Sequence, residues 1–332
     1  GSGVAVGIVL GSFFARWHAS DLSNHVTGDS SRSPGSMSQV TSEPAPQSPS
    51  RLRAYYELTK PGIAGYVMVT AGASAFVGSR GTIDLLFEVH TMLGTGLATA
   101  GALCLNQYAE REVDTLMHRT RGRPLPSGRV TPAAALGFGS VLLVAGLVYL
   151  AIAVGPIPAG IAALSAVIYH LVYRPLKSRS YAATLVGSVP GALPMLIGWT
   201  AATGDFDAAG GMLFAIGYLW QLPHVLGLAW MLQEDYERVG FKLIPQGGAP
   251  VIGRHMVMAT ALLIPISWAP TVLGFTGMIY AVGATVLGLA FASRAVLAAR
   301  DLTEATARRV FFASLLYHPL LLGFMLFDTV RL

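Results

Sequence analysis

From residue 51 onward the chain alternates long apolar runs with short polar ones. Each run is close to the ~20 residues that a helix needs to cross a bilayer core. The pattern predicts spans at 59–79, 88–109, 132–154, 157–173, 181–202, 210–232, 255–274, 276–297 and 309–328. The expected fold is therefore all-α, a polytopic membrane protein with nine transmembrane helices. Gly and Ala recur within the runs, as expected where helices approach backbone to backbone. Pro61, Pro132 and Pro319 are expected near helix starts, where a missing N–H matters least.

The first fifty residues break the pattern. Residues 4–14 are apolar but too short to span. Residues 20–50 are rich in Ser, Pro, Thr and Gln, which cannot bury enough apolar surface to offset the entropy of ordering. The expected organisation is a disordered tail, 1–50, ahead of a membrane-embedded domain, 51–332. Met37 is the first methionine, and translation is expected to begin there.

Composition narrows the class further. Hydrophobic residues make up 53% of the chain and charged residues 12%, which excludes the pair of soluble domains that 332 residues would otherwise suggest. The net charge of +5 sits in loops between apolar runs and is no nucleic-acid signature. With Cys104 as the single cysteine, an intramolecular disulfide, a cysteine zinc cluster and a haem-attachment motif are excluded. If the N-terminus is inside, only Arg80 and Arg331 among the basic residues from Arg51 onward fall in outer segments. Such a bias places the N-terminus and the long polar loops on the cytoplasmic side. The tail lacks an Arg-rich amphipathic transit pattern, so the expected location is a bacterial inner membrane.

Two of the inner loops carry candidate chemistry. Asn106, Glu110 and Asp114 recur every four residues, which puts an amide and two carboxylates on one helical face. That face suits Mg²⁺, which takes oxygen ligands, keeps several waters and is usually held by one or two carboxylates plus substrate phosphates. Arg119, Arg121, Arg123 and Arg129 follow it and can receive phosphate oxygens. The same order recurs after the sixth run, where Glu234 and Asp235 precede Arg238 and Lys242. Two such loops, four spans apart, read as an internal pseudo-repeat closing on one site.

The run N-x-x-x-E-x-x-x-D-x-x-M-x-R-T-x-x-R-P-L at 106–125 resembles the signature of the UbiA superfamily of intramembrane prenyltransferases, in its protoheme IX farnesyltransferase (haem O synthase) form. WQLPH at 220–224, EDY at 234–236 with Gly240 and Pro245, and YHPLLL at 317–322 resemble further stretches of that form. The resemblance implies a nine-helix fold whose Mg²⁺ ions hold farnesyl diphosphate. It implies transfer of the farnesyl group to a vinyl group of haem b, with addition of water, to give haem O and diphosphate. Haem A synthase or a terminal oxidase assembly would be downstream partners. Residue by residue, Asn106, Glu110 and Asp114 match the first metal motif, with Glu110 where many relatives have Asp, and Asp235 matches the second. Val239 stands where the broader superfamily often has a further aspartate. Arg119 and Arg123 match arginines of the first loop, and Tyr173 and Lys177 match a Y-x-x-x-K element. Ser178 interrupts a basic pair there, with Arg179 one step later. Arg179, Lys242 and Gln221 are further substrate-binding candidates. His224, inside the sixth span, is a candidate for haem iron or a propionate, ahead of His170 and His318.

Two other readings compete. Sister enzymes prenylate other aromatic or tetrapyrrole acceptors with the same metal motifs. A transporter would instead bind a coupling ion near mid-span, but the acids gather at one membrane face.

Overall fold

The computed structural model describes residues 50–330 apart from Ile83. The expected disordered tail up to residue 49, its apolar stretch and Met37 all lie outside the described residues. Among the described residues the architecture is helical, with only an isolated bridge between Thr276 and Thr329 outside the helices.

In chain order the elements are α1 (Arg51–Leu58), α2 (Pro61–Gly78), α3 (Leu85–Ala109), α4 (Arg111–Leu116) and α5 (Pro132–Ala153). They continue with α6 (Pro156–Leu176), α7 (Ala182–Thr203), α8 (Ala208–Met231), α9 (Gln233–Arg238), α10 (Gly248–Val272), α11 (Met278–Arg300) and α12 (Glu304–Phe327). Nine of these are long helical runs, and eight are long and apolar enough to cross a membrane on length and composition. The ninth run is α3. Its lower hydropathy has a structural cause: Thr91, Thr95, Asn106 and Gln107 are buried against other helices and not turned to lipid. Its 25 residues lie along α2 and α5, so it traverses the same thickness as they do.

Local signals explain the helix starts. Asp84, Thr131 and Asp207 accept backbone N–H bonds at the starts of α3, α5 and α8, and Thr303 forms a capping box with Thr306. Pro61 and Pro132 open α2 and α5 as expected. Pro319 does not open a helix: it lies within α12, where neighbouring helices enclose the backbone that it disrupts.

Each long helix packs on the next, and α12 returns to α2, so the helices form a closed ring, with α2 against α7 and α8 against α12 as cross-contacts. The pairings α2–α3, α3–α5 and α5–α6 recur as α7–α8, α8–α10 and α10–α11. In both series the second helix is followed by a six-residue helix bearing acids, α4 or α9. Close backbone approach sets the position of α3. A Cβ on Gly101 would fall on the backbone of Leu143, and one on Gly146 on that of Ala98.

Candidate active site at the inner loops

The four-residue spacing survives the end of α3. The Glu110 N–H donates to the Asn106 carbonyl at 2.9 Å and the Asp114 N–H to the Glu110 carbonyl at 2.8 Å, although Glu110 itself sits between α3 and α4. Asn106, Glu110 and Asp114 are all buried, Asp114 completely. The Asn106 amide Nδ2 donates to Glu110 Oε2 at 3.2 Å, while Asn106 Oδ1 is buried without a hydrogen-bond partner.

Basic side chains converge on this face from distant segments. Lys177, just past the end of α6, donates from Nζ to Glu110 Oε1 at 2.6 Å. Arg123 donates to both Asp114 carboxylate oxygens, at 2.8 and 2.7 Å. Burial pushes the Glu110 carboxyl up, but the charge and hydrogen bond of Lys177 and the Asn106 amide outweigh it and hold it below the ordinary range. For Lys177, burial opposes the charged form, and Tyr173 and Glu110 more than offset it, so its pKa is raised. Both partners are ionised. A turn of π-helix over Ile168–Tyr173 precedes Lys177, and such irregular turns recur at functional sites. Lys177 also lies 4.8 Å over the Tyr173 ring.

The two loops meet. The His118 N–H donates to Asp235 Oδ1 at 3.3 Å, and Arg238 reaches the same oxygen at 3.4 Å. The Lys242 N–H donates to the Lys177 carbonyl at 2.6 Å, which ties the second loop to the end of α6. Arg119 stands close enough to Tyr236 and Lys60 to act on both electrostatically.

Lys60 is the member of the cluster that the sequence did not single out. It precedes Pro61 in a left-handed conformation (φ 45°), which a non-glycine residue adopts only under constraint. Although partly exposed, it is closely surrounded. Burial, then the charges of Arg123 and Arg119, bring its ammonium down to about 7. The sequence signal available was a lysine directly before the proline that opens the first span.

Other candidates lie elsewhere. Arg179 and Lys242 line an inner-face cavity of about 520 Å³ with Tyr181, Gln233 and Tyr236, and that lining includes none of Asn106, Glu110, Asp114 or Lys177. Deeper in the ring, Gln221 Oε1 is buried without a partner against Gly191. Tyr66 OH pairs with His318 Nδ1 at 2.5 Å, and Trp220 stacks on His318 with centroids 4.2 Å apart. Among the described residues no three His, Cys, Asp or Glu side chains gather as a metal-binding group, so the candidate metal face is an amide with two carboxylates.

The family profile described as "UbiA prenyltransferase family" matches residues 67–316. The chain belongs to the UbiA prenyltransferase family. Within the UbiA family it is 43% identical over 288 residues to a protein of Solibacter usitatus described as protoheme IX farnesyltransferase, covering 83% of this chain and 99% of that one. A protein of Sorangium cellulosum with the same description is 44% identical over 232 residues, 69% of this chain and 83% of that one. A solved digeranylgeranylglyceryl phosphate synthase superposes with a TM-score of 0.73 at 18% identity, covering 85% of this chain and 99% of the other. A UbiA homologue from Archaeoglobus fulgidus, solved with GPP and Mg²⁺, superposes with a TM-score of 0.56 at 15% identity, over 82% of this chain and 99% of that one. These two share the UbiA fold. The chain is thus a multi-pass membrane prenyltransferase, and the transporter reading falls away.

Proposed function

We propose that the protein transfers the farnesyl group of farnesyl diphosphate to a vinyl group of haem b, with addition of water, giving haem O and diphosphate. The observation that carries the donor half is the convergence of Lys60, Lys177 and Arg123 on the buried Asn106–Glu110–Asp114 face. The acceptor half rests on relatives at 43% and 44% identity described as protoheme IX farnesyltransferases.

The residues fit Mg²⁺. Asn106 Oδ1 is an unpartnered buried oxygen, and two carboxylates lie within one turn on either side of Glu110 Nα; Mg²⁺ needs few protein oxygens when phosphates and water complete its shell. When bound, Mg²⁺ would draw off negative charge as it develops on the departing diphosphate. Asn106, Glu110 and Asp114 would hold one ion, and Asp235, brought to the first loop through His118, would serve a second. Lys177, Arg123, Lys60 and Arg119 would bind the diphosphate oxygens. Their fixed charge stabilises the leaving group as the allylic C–O bond breaks. The vinyl carbon then attacks the allylic carbon, and water captures the resulting cation. No side-chain nucleophile is required. The ring of helices contributes orientation and restricts water until the carbon–carbon bond has formed. We place the site on the cytoplasmic side of a bacterial inner membrane, from the distribution of Lys and Arg. Haem A synthase or a terminal oxidase assembly would then receive the product.

The deciding experiment incubates purified protein with haem b, farnesyl diphosphate and Mg²⁺, with an EDTA control, and weighs the extracted haems by mass spectrometry. A haem heavier by one farnesyl group and one water, absent with EDTA, is expected. Unchanged haem from folded protein would refute the acceptor assignment, and other aromatic acceptors would be screened next.

A further inference from the structure

The pairing of α8 with α12 fixes which nitrogen of His224 carries its proton. Ser314 on α12 donates its only hydroxyl proton to the Phe311 carbonyl at 2.5 Å. Its oxygen lies 2.8 Å from His224 Nδ1 and, having no second proton, can only accept. His224 is therefore protonated at Nδ1, and Nε2 carries a lone pair. The ring is held on its faces by Trp220 and Phe311, with centroids 5.6 and 4.7 Å away. Trp220 Nε1 donates to the Ser314 carbonyl at 2.7 Å, so one serine positions both aromatic side chains.

A neutral imidazole whose Nδ1–H is anchored and whose Nε2 is free is the usual form of a histidine that ligates a metal, because the anchor sets ring orientation and raises ligand basicity. Among the described residues no group bonds His224 Nε2, and the side chain keeps accessible surface although it lies deep among the helices. His318 offers a useful contrast. Its Nε2 also lacks a partner, but that atom is enclosed and the ring is stacked on Trp220, so a flat macrocycle has no approach to it.

We infer that His224 Nε2 is the axial ligand of the iron of the haem acceptor, and that Ser314 is the positioning residue that holds it in the ligating tautomer. The inference rests on the proposed haem acceptor. Iron ligation would pin the macrocycle by its centre and leave its vinyl edge free to meet the allylic carbon.

Titration of the purified protein with ferric haem b, followed at the Soret band, tests it without turnover. Wild type should give a histidine-ligated spectrum. His224→Ala should lose it, and added imidazole should restore it, which a merely structural defect would not allow. Ser314→Ala should keep ligation but bind haem about 10-fold more weakly, the size of effect expected from removing the partner of a ligating histidine, whereas Ser314→Thr should behave as wild type. An unchanged spectrum in His224→Ala, or loss of ligation only in His318→Ala, would overturn the inference while leaving the haem acceptor intact. Wild-type protein that transfers farnesyl to another acceptor and shows no haem spectrum would overturn both.

Discussion

Asp114 joins two functions in one side chain, since it is fully buried, is held by Arg123 through both oxygens and is proposed to meet Mg²⁺. Asp114→Asn keeps the volume and removes the charge. It should lower the farnesyl-transfer rate by about 100-fold or more while the protein still elutes as a folded species in detergent; a fully active variant would remove Asp114 from the site. Lys60 gives a pH signature. Its pKa is lowered to about 7 in the fold, so above that value the folded protein releases a proton that the unfolded chain retains. The stability contribution of this lysine therefore rises with pH from about 7 toward its ordinary 10.5 and is lost below it. Diphosphate should reverse the shift by stabilising the ammonium, so farnesyl diphosphate affinity should weaken above about pH 7, and Lys60→Arg, charged throughout, should flatten that dependence in a binding titration. At this scale the sequence displayed the residues spaced along one helix, Asn106, Glu110 and Asp114. It did not display Lys60 as their neighbour, because nothing local relates positions 60 and 123.

Between elements, the pair Glu110–Lys177 joins the end of α3 to the end of α6. Its two side chains are each 9% exposed, so removing one partner strands a charge in a poorly solvated place. Glu110→Gln or Lys177→Gln alone should each destabilise the protein by about 3–5 kcal/mol, and the double variant by clearly less than the sum; thermal unfolding in detergent would measure the cycle. The apolar runs marked the long helices to within a few residues, since a bilayer imposes both length and composition. They missed the turn of π-helix before Lys177, whose hydrogen-bond shift leaves no mark on hydropathy. They also misplaced Pro319, because a proline inside a membrane helix is tolerated where other helices surround it. The division of Arg179 and Lys242 from Lys177 was equally hidden. Adjacent positions leaving a helix end can face different spaces, and only the course of the second loop decides which.

For the molecule as a whole, the repeated order of helix contacts brings two acid-bearing loops together, as the matching layouts of residues 106–129 and 234–242 had suggested. Orientation in the bilayer can be tested through the lone cysteine. Cys104 is fully buried, so the native protein should give little background with a membrane-impermeant thiol reagent. In intact cells Asp205→Cys should be labelled and Glu112→Cys should not, and inverted vesicles should reverse the result; the opposite pattern would turn the proposed orientation over. The ring of nine helical runs has one further consequence, because an odd number of crossings leaves Leu58 and Asp328 on opposite faces of the bilayer. A reporter fused beyond Asp328 would therefore have to mature outside the cytoplasm, and one that folds only in reducing surroundings would stay dark on a fully active enzyme.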